Sequence, residues 1–172
     1  ATYSEICPES AAISHRGAPL FAPTRSVSAP PSKSYLHREI IAAMLSGSDL
    51  CLDAKELSDD IIATYEAVKI ISNHTNCSAL GNLESSIVSS DDKLILECKE
   101  SGSTLRFLLP IVAALGLNAE FKLTGRLRER PMQQLISQLE RHGASITISD
   151  SGSISISASS SHITPGEYNF AN

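Results

Sequence analysis

One order of local patterns occurs twice along this chain, and that repetition restricts the accessible folds more than any other feature. In the first pass a short strand at residues 26–29 runs through the Pro30-Pro31 turn into a helix at 34–45, with Leu36, Ile40, Ala43 and Met44 on one face. A short strand at 50–52 follows. Ser58 with Asp59 and Asp60 marks the next helix start, because the hydroxyl can cap the first amides and the acids complement the dipole. Ile61, Ile62, Tyr65, Val68 and Ile71 give that helix its apolar face, and strands near 77–80 and 86–88 close the pass.

The second pass repeats the order. Residues 93–98 read as a strand and 102–115 as a helix that is apolar nearly all round, with Pro110 a candidate kink and Gly116 a stop. Residues 119–124 are the next strand. Pro131, at a first helical position, opens a helix bearing Met132, Leu135, Ile136 and Leu139 that Gly143 ends. Alternation at 145–149 and 153–157 around Asp150-Ser151-Gly152 reads as a hairpin. Asp60 and Pro131 hold corresponding places about seventy residues apart, the period of a large supersecondary unit rather than of a solenoid. The expectation is a mixed α/β (α+β) fold of βαβαββ units at about 26–90 and 93–158. An irregular lead-in occupies 1–25, and a third unit begins at Tyr168, so 26–172 forms one incomplete domain.

Composition limits what such a fold does. Hydrophobic residues are 42% and charged residues 19% of the 172, a globular balance. No apolar run reaches membrane-spanning length, and the start lacks the basic and apolar stretches of a signal peptide. A soluble cytoplasmic protein is expected, without a membrane partner. Cys7, Cys51, Cys77 and Cys98 lack paired ligand spacing, and the histidines form no ligand motif, so isolated thiols and no metal are expected. The net charge of −5 and the 5% of aromatic residues disfavour nucleic acid. The cations nevertheless cluster, with Lys33, Arg38, Arg106, Arg126, Arg128 and Arg130 in three short segments, which suits a small anionic ligand.

Those segments lie at strand–helix junctions. Pro30-Pro31-Ser32-Lys33-Ser34-Tyr35-Leu36-His37-Arg38 opens a helix with hydroxyls, free amides and two cations, although it lacks the spaced glycines of a P-loop. Glu100-Ser101-Gly102-Ser103-Thr104-Leu105-Arg106 places a glycine where backbone can approach a ligand. Arg106, inside an apolar helix, calls for a partner, and a structural ion pair is expected. Thr124-Gly125-Arg126-Leu127-Arg128-Glu129-Arg130-Pro131-Met132 reads as a loop offering guanidinium forks to phosphate or carboxylate. Each segment also admits a plain structural use, as a helix cap, a helix start or a solvated charge run. Several anion-binding helix starts on one face point to a multiply anionic small molecule.

In order and spacing, the three segments resemble the Ser-Lys-Ser…Arg, Asn-Ala-Gly-Thr…Arg and Thr-Gly…Glu-Arg-Pro motifs of the EPSP synthases, the 5-enolpyruvylshikimate-3-phosphate synthases. The resemblance implies an inside-out barrel of two domains, each of three βαβαββ units, of which this chain holds two units and the start of a third. It implies enolpyruvyl transfer from phosphoenolpyruvate to the 5-hydroxyl of shikimate 3-phosphate, without cofactor, in a monomeric enzyme. Lys33, Ser34 and Arg38 would contact shikimate 3-phosphate, with Lys33 also reaching phosphoenolpyruvate as the positioning residue of catalysis. Gly102 and Arg130 would contact phosphoenolpyruvate. The acid–base pair would come from the other domain, so these residues alone would bind without turnover. Glu100 for the frequent asparagine and Ser103 for threonine depart from the pattern, leaving the reaction class intact but bearing on sensitivity to the inhibitor glyphosate. Two other readings are an isolated anion-binding module and the relative acting on UDP-N-acetylglucosamine, whose motif typically has Lys-Asn where this chain has Lys33-Ser34.

Overall fold

A computed structural model describes residues 31–48, 57–75, 93–157 and 163–168. The strands expected at 26–29, 50–52, 77–80 and 86–88 and the lead-in at 1–25 lie outside these residues, as does most of the third-unit start.

Helix α1 (Lys33–Ser46) buries Leu36, His37, Ile40, Ile41 and Met44 and ends at Gly47, whose φ of 66° suits glycine. Helix α2 (Asp59–Thr75) buries Ile61, Ala63, Thr64, Ala67, Val68, Ile71 and Thr75. Its buried face is therefore rotated from the expected one: Tyr65 is exposed and Ile62 only half-buried, because small Ala63, Thr64 and Ala67 allow close packing. The Ser58 hydroxyl does not cap this helix. It has no partner among the described residues, and only the Ser58 carbonyl accepts the amides of Ile61 and Ile62.

The next elements run β1 (Leu94–Lys99), α3 (Gly102–Ala114), β2 (Ala119–Leu123), a 3-10 turn (Gly125–Glu129), α4 (Gln133–Arg141), β3 (Ser145–Ile148) and β4 (Ile154–Ser157). The four strands form one mixed sheet in the order β1-β2-β4-β3, with β1 and β2 parallel across α3 and the other pairs antiparallel. Alternation decides which face is buried. Leu94, Leu96 and Cys98 of β1 and Ala119, Phe121 and Leu123 of β2 point into the core. Burial also pushes the Cys98 thiol up to about 12, leaving it an inert hydrophobe.

Helix α3 continues through Pro110 and is not buried all round: Ser103, Arg106 and Phe107 are exposed. Leu105, Leu108, Leu109 and Val112 form its core stripe. Pro131 precedes α4 by two residues instead of occupying its first position, because the 3-10 turn ends in extended backbone at Arg130. Residues 163–168 carry no regular element and cross the end of α4. There Tyr168 stacks on His142 at 4.1 Å between ring centres, and the Thr164 amide donates to the His142 carbonyl. Among the described residues no helix is long and apolar enough to cross a membrane.

Candidate anion site at converging helix starts

The first turns of α1, α2 and α3 meet. Lys33 opens α1, and its Nζ lies 3.2 Å from Oδ2 of Asp60 in the first turn of α2, with both side chains partly exposed. The 59% exposure of Lys33 keeps the ammonium accessible to a ligand and the pair weak by itself. Ser32, at the N-cap of α1, makes no side-chain cap, so the first amides of α1 are not blocked by its hydroxyl. Ser34, the residue after Lys33, and Arg38, five residues after it, are exposed on α1.

The junction from β1 to α3 is tight. Lys99 takes a φ of 50°, a left-handed conformation that costs a lysine energy, and the register between β1 and β2 shifts beside it. Ser101 then caps α3 by accepting the Thr104 amide at 3.2 Å. Next comes Gly102, which is buried without a side chain because two guanidinium groups occupy the space. A Cβ there would meet Nη1 of Arg130 at 2.8 Å and Nη1 of Arg106 at 2.9 Å. The expected structural ion pair of Arg106 is not formed among the described residues. Its fork lies over the helix start instead, because Arg106 is one turn after Gly102 on the same face. Two cations beside an amide-rich helix start attract a phosphate or carboxylate.

The three arginines after Thr124 part company in the 3-10 turn. Arg130 reaches Gly102. Arg128 turns to the sheet, its Nε donating to the Leu123 carbonyl at 2.9 Å while its methylenes pack on Gly152. Arg126 is exposed. Glu100 lies with its carboxylate against Gly125, whose φ is 53°. Gly125→Ala therefore adds a left-handed penalty and displaces Glu100. A loss of about 1–2 kcal/mol is expected in urea unfolding, and an unchanged midpoint would show that the turn relaxes freely.

A buried chain of side chains joins these starts. His37 Nδ1 is 2.8 Å from Thr64 Oγ1, which is 2.6 Å from Thr104 Oγ1, which donates to Ser101 Oγ at 2.7 Å. Both threonine hydroxyls also lie within 3.3 Å of the Asp60 carbonyl. Burial depresses the His37 pKa, with Asp60 opposing this and Lys33 adding to it, so the ring is neutral at neutral pH. The sequence marks Asp60 as a dipole complement and a landmark of the repeat, and gives His37, Thr64 and Thr104 no role in the site. The available signal was their place among apolar positions at helical spacing, as in Thr64, Val68, Ile71 and Thr75.

Known proteins resemble the chain across these segments. Of the curated relatives, the 3-phosphoshikimate 1-carboxyvinyltransferase of Clostridium perfringens is 40% identical over 111 residues, covering 63% of this chain and 26% of the relative. That of Methanocorpusculum labreanum is 33% identical over 133 residues, covering 73% and 30%. The chain thus spans about a quarter to a third of the length of these relatives. The solved EPSP synthase of Acinetobacter baumannii shares the fold, with a TM-score of 0.52 at 18% identity over 76% of this chain and 31% of that one. The model of EPSP synthase (3-phosphoshikimate 1-carboxyvinyltransferase) matches residues 23–171, and the chain belongs to that family.

Proposed function

We propose that this chain supplies the substrate-binding face for enolpyruvyl transfer from phosphoenolpyruvate to the 5-hydroxyl of shikimate 3-phosphate. The observation behind this reading is the pair of guanidinium groups over Gly102 at the start of α3, in a segment that the family match covers. Lys33, Ser34 and Arg38 hold shikimate 3-phosphate, and Lys33 also reaches the enol donor. Gly102 and Arg130 receive phosphoenolpyruvate, and Arg106 adds a second fork beside them. These cations hold two anions together against their repulsion, so that the hydroxyl oxygen can bond to C2 of the enol as it gives up its proton, while C3 takes a proton. Loss of a proton from C3 then restores the double bond as the C2–O bond to phosphate breaks and phosphate departs. The proton-moving pair lies outside the described residues, and the whole enzyme works as a cytoplasmic monomer whose substrate domain contains these two units.

Calorimetry with shikimate 3-phosphate, beside a phosphate-release assay with both substrates, tests the reading. A polypeptide of these 172 residues is expected to bind shikimate 3-phosphate and release no phosphate. Preference for UDP-N-acetylglucosamine would overturn the substrate, and turnover would overturn the division of labour. Lys33→Ala is expected to weaken binding on the order of tenfold, through loss of a charge-assisted contact. Lys93→Ala should change binding little, because Lys93 pairs with Glu120 at 2.7 Å and donates to Ser155 on the sheet. Equal affinities for the two variants would reduce the first motif to a helix cap.

A further inference from the structure

The buried side chains between the helix starts carry more than packing. Each threonine hydroxyl has one proton to give, and the contacts fix where it goes. Thr104 donates to Ser101 Oγ at 2.7 Å, so the 2.6 Å contact between Thr64 and Thr104 needs the Thr64 proton. Thr64 then has none left for His37. The 2.8 Å contact must be donated by the ring, which places hydrogen on Nδ1. The Asp60 carbonyl, at 3.2 and 3.3 Å from the two threonines, is the longer and weaker alternative acceptor. Hydrogen bonds therefore point one way, from His37 in α1 through Thr64 in α2 and Thr104 in α3 to Ser101, the cap beside Gly102. Ser101 accepts twice, from the Thr104 hydroxyl and the Thr104 amide, and so is held at the junction.

We propose that His37, Thr64 and Thr104 are positioning residues for the anion site: their one-way chain of hydrogen bonds locks the start of α3, with Gly102 and its two guanidinium groups, against the starts of α1 and α2, with Lys33 and Asp60. None of the three touches the ligand in this assignment. They set how far the Lys33 ammonium stands from the Gly102 helix start, and so whether one small molecule can meet both. Burial strengthens the effect, since His37, Thr64 and Thr104 are all at most 2% exposed and water cannot substitute for a lost partner. Phe107 closes the ring side of the chain, edge-on to His37 at 6.1 Å.

The inference rests on the proposed function for the identity of the ligand, and its tests separate the two. On the unsubstituted chain, nitrogen-15 NMR of the neutral His37 ring is expected to show the Nδ1–H tautomer. The Nε2–H tautomer would overturn the direction of the chain. Amide exchange is then compared in Thr104→Val and Thr104→Ser. The valine variant should speed exchange at residues 33–36 as well as 102–105, and the serine variant should restore both. Faster exchange confined to 102–105 would leave Thr104 a local cap and overturn the coupling. If Thr104→Val does not fold, Thr64→Val and Thr64→Ser give the same comparison from the middle of the chain.

Shikimate 3-phosphate titrations complete the test. Thr104→Val is expected to weaken binding about tenfold, with Thr104→Ser within about twofold of the parent. In combination with Lys33→Ala the two losses should be less than additive, because Thr104 acts through the placement of Lys33. Strict additivity would overturn the positioning role. Should the parent chain bind no shikimate 3-phosphate, the functional reading fails, and the tautomer and exchange results still decide the hydrogen-bond chain.

Discussion

Arg130→Ala is expected to remove most of the affinity for phosphoenolpyruvate, or for inorganic phosphate as a simpler probe, while leaving the melting temperature nearly unchanged. The geometry separates these two effects. Arg130 is exposed, and its Nη1 stands 2.8 Å from where a Gly102 Cβ would lie, so its fork serves the helix start and not the core. A charge-assisted contact to an anion contributes about 1.5–3 kcal/mol, or a roughly tenfold to hundredfold loss of affinity. Arg128, two residues away, should behave in the opposite way. Its Nε donates to the Leu123 carbonyl and its methylenes pack on Gly152, so Arg128→Ala costs stability and little affinity. Phosphate titration followed at the Gly102 amide, with thermal unfolding of both variants, reads the contrast. Equal loss of affinity in the two would show that the turn acts by net charge alone, and Gly102 would then not be the point of contact.

Such a contrast was only half legible in the sequence. Alternating arginines at 126, 128 and 130 announced an anion site, but not which of them would face it. That choice depends on the 3-10 turn, whose hydrogen bond from the Arg130 amide to the Leu127 carbonyl fixes the directions of the side chains. Helix periodicity located α1 and α3 well because Leu36, Ile40 and Met44, or Leu105, Leu108, Leu109 and Val112, recur at helical spacing. It misplaces the inner face of α2, where the apolar pattern includes Ile62 and Tyr65 and omits Thr64. Thr64 is buried because its hydroxyl has partners in α1 and α3, which are 27 and 40 residues distant in the chain. A partner at that separation leaves no local pattern. Arg106 departs from expectation for a related reason: its position within an apolar helix suggests an internal ion pair, whereas the absent side chain of Gly102 gives its fork a place at the surface. Ser58 shows the converse, a residue with the composition of a cap whose hydroxyl has no partner among the described residues.

The largest effect on stability is expected at Phe121, the largest fully buried side chain of the described core. It sits in the middle of β2, paired with Leu96 of β1 on one side and Ile154 of β4 on the other. The same side chain therefore supports both the parallel and the antiparallel half of the sheet, within the core that also holds Leu105 and Leu108 of α3. Truncation to alanine removes an aromatic ring from a site with no route to solvent and leaves a cavity that flanking strands cannot fill by a rotamer change. A loss of about 3–5 kcal/mol follows, against a total of about 5–15 kcal/mol for a domain of ordinary stability. Phe107 provides the control. It is 39% exposed on α3, and its ring meets His37 only at its edge. Phe107→Ala should cost about 1–2 kcal/mol, the sum of partial burial and one aromatic contact. Urea unfolding of both variants decides the matter. A Phe121→Ala chain as stable as Phe107→Ala would mean that β2 does not unite the two halves of the sheet. The start of α3, which the β1–β2 pair supports from below through the Thr124 amide on the Lys99 carbonyl, would then owe its position to the helices alone.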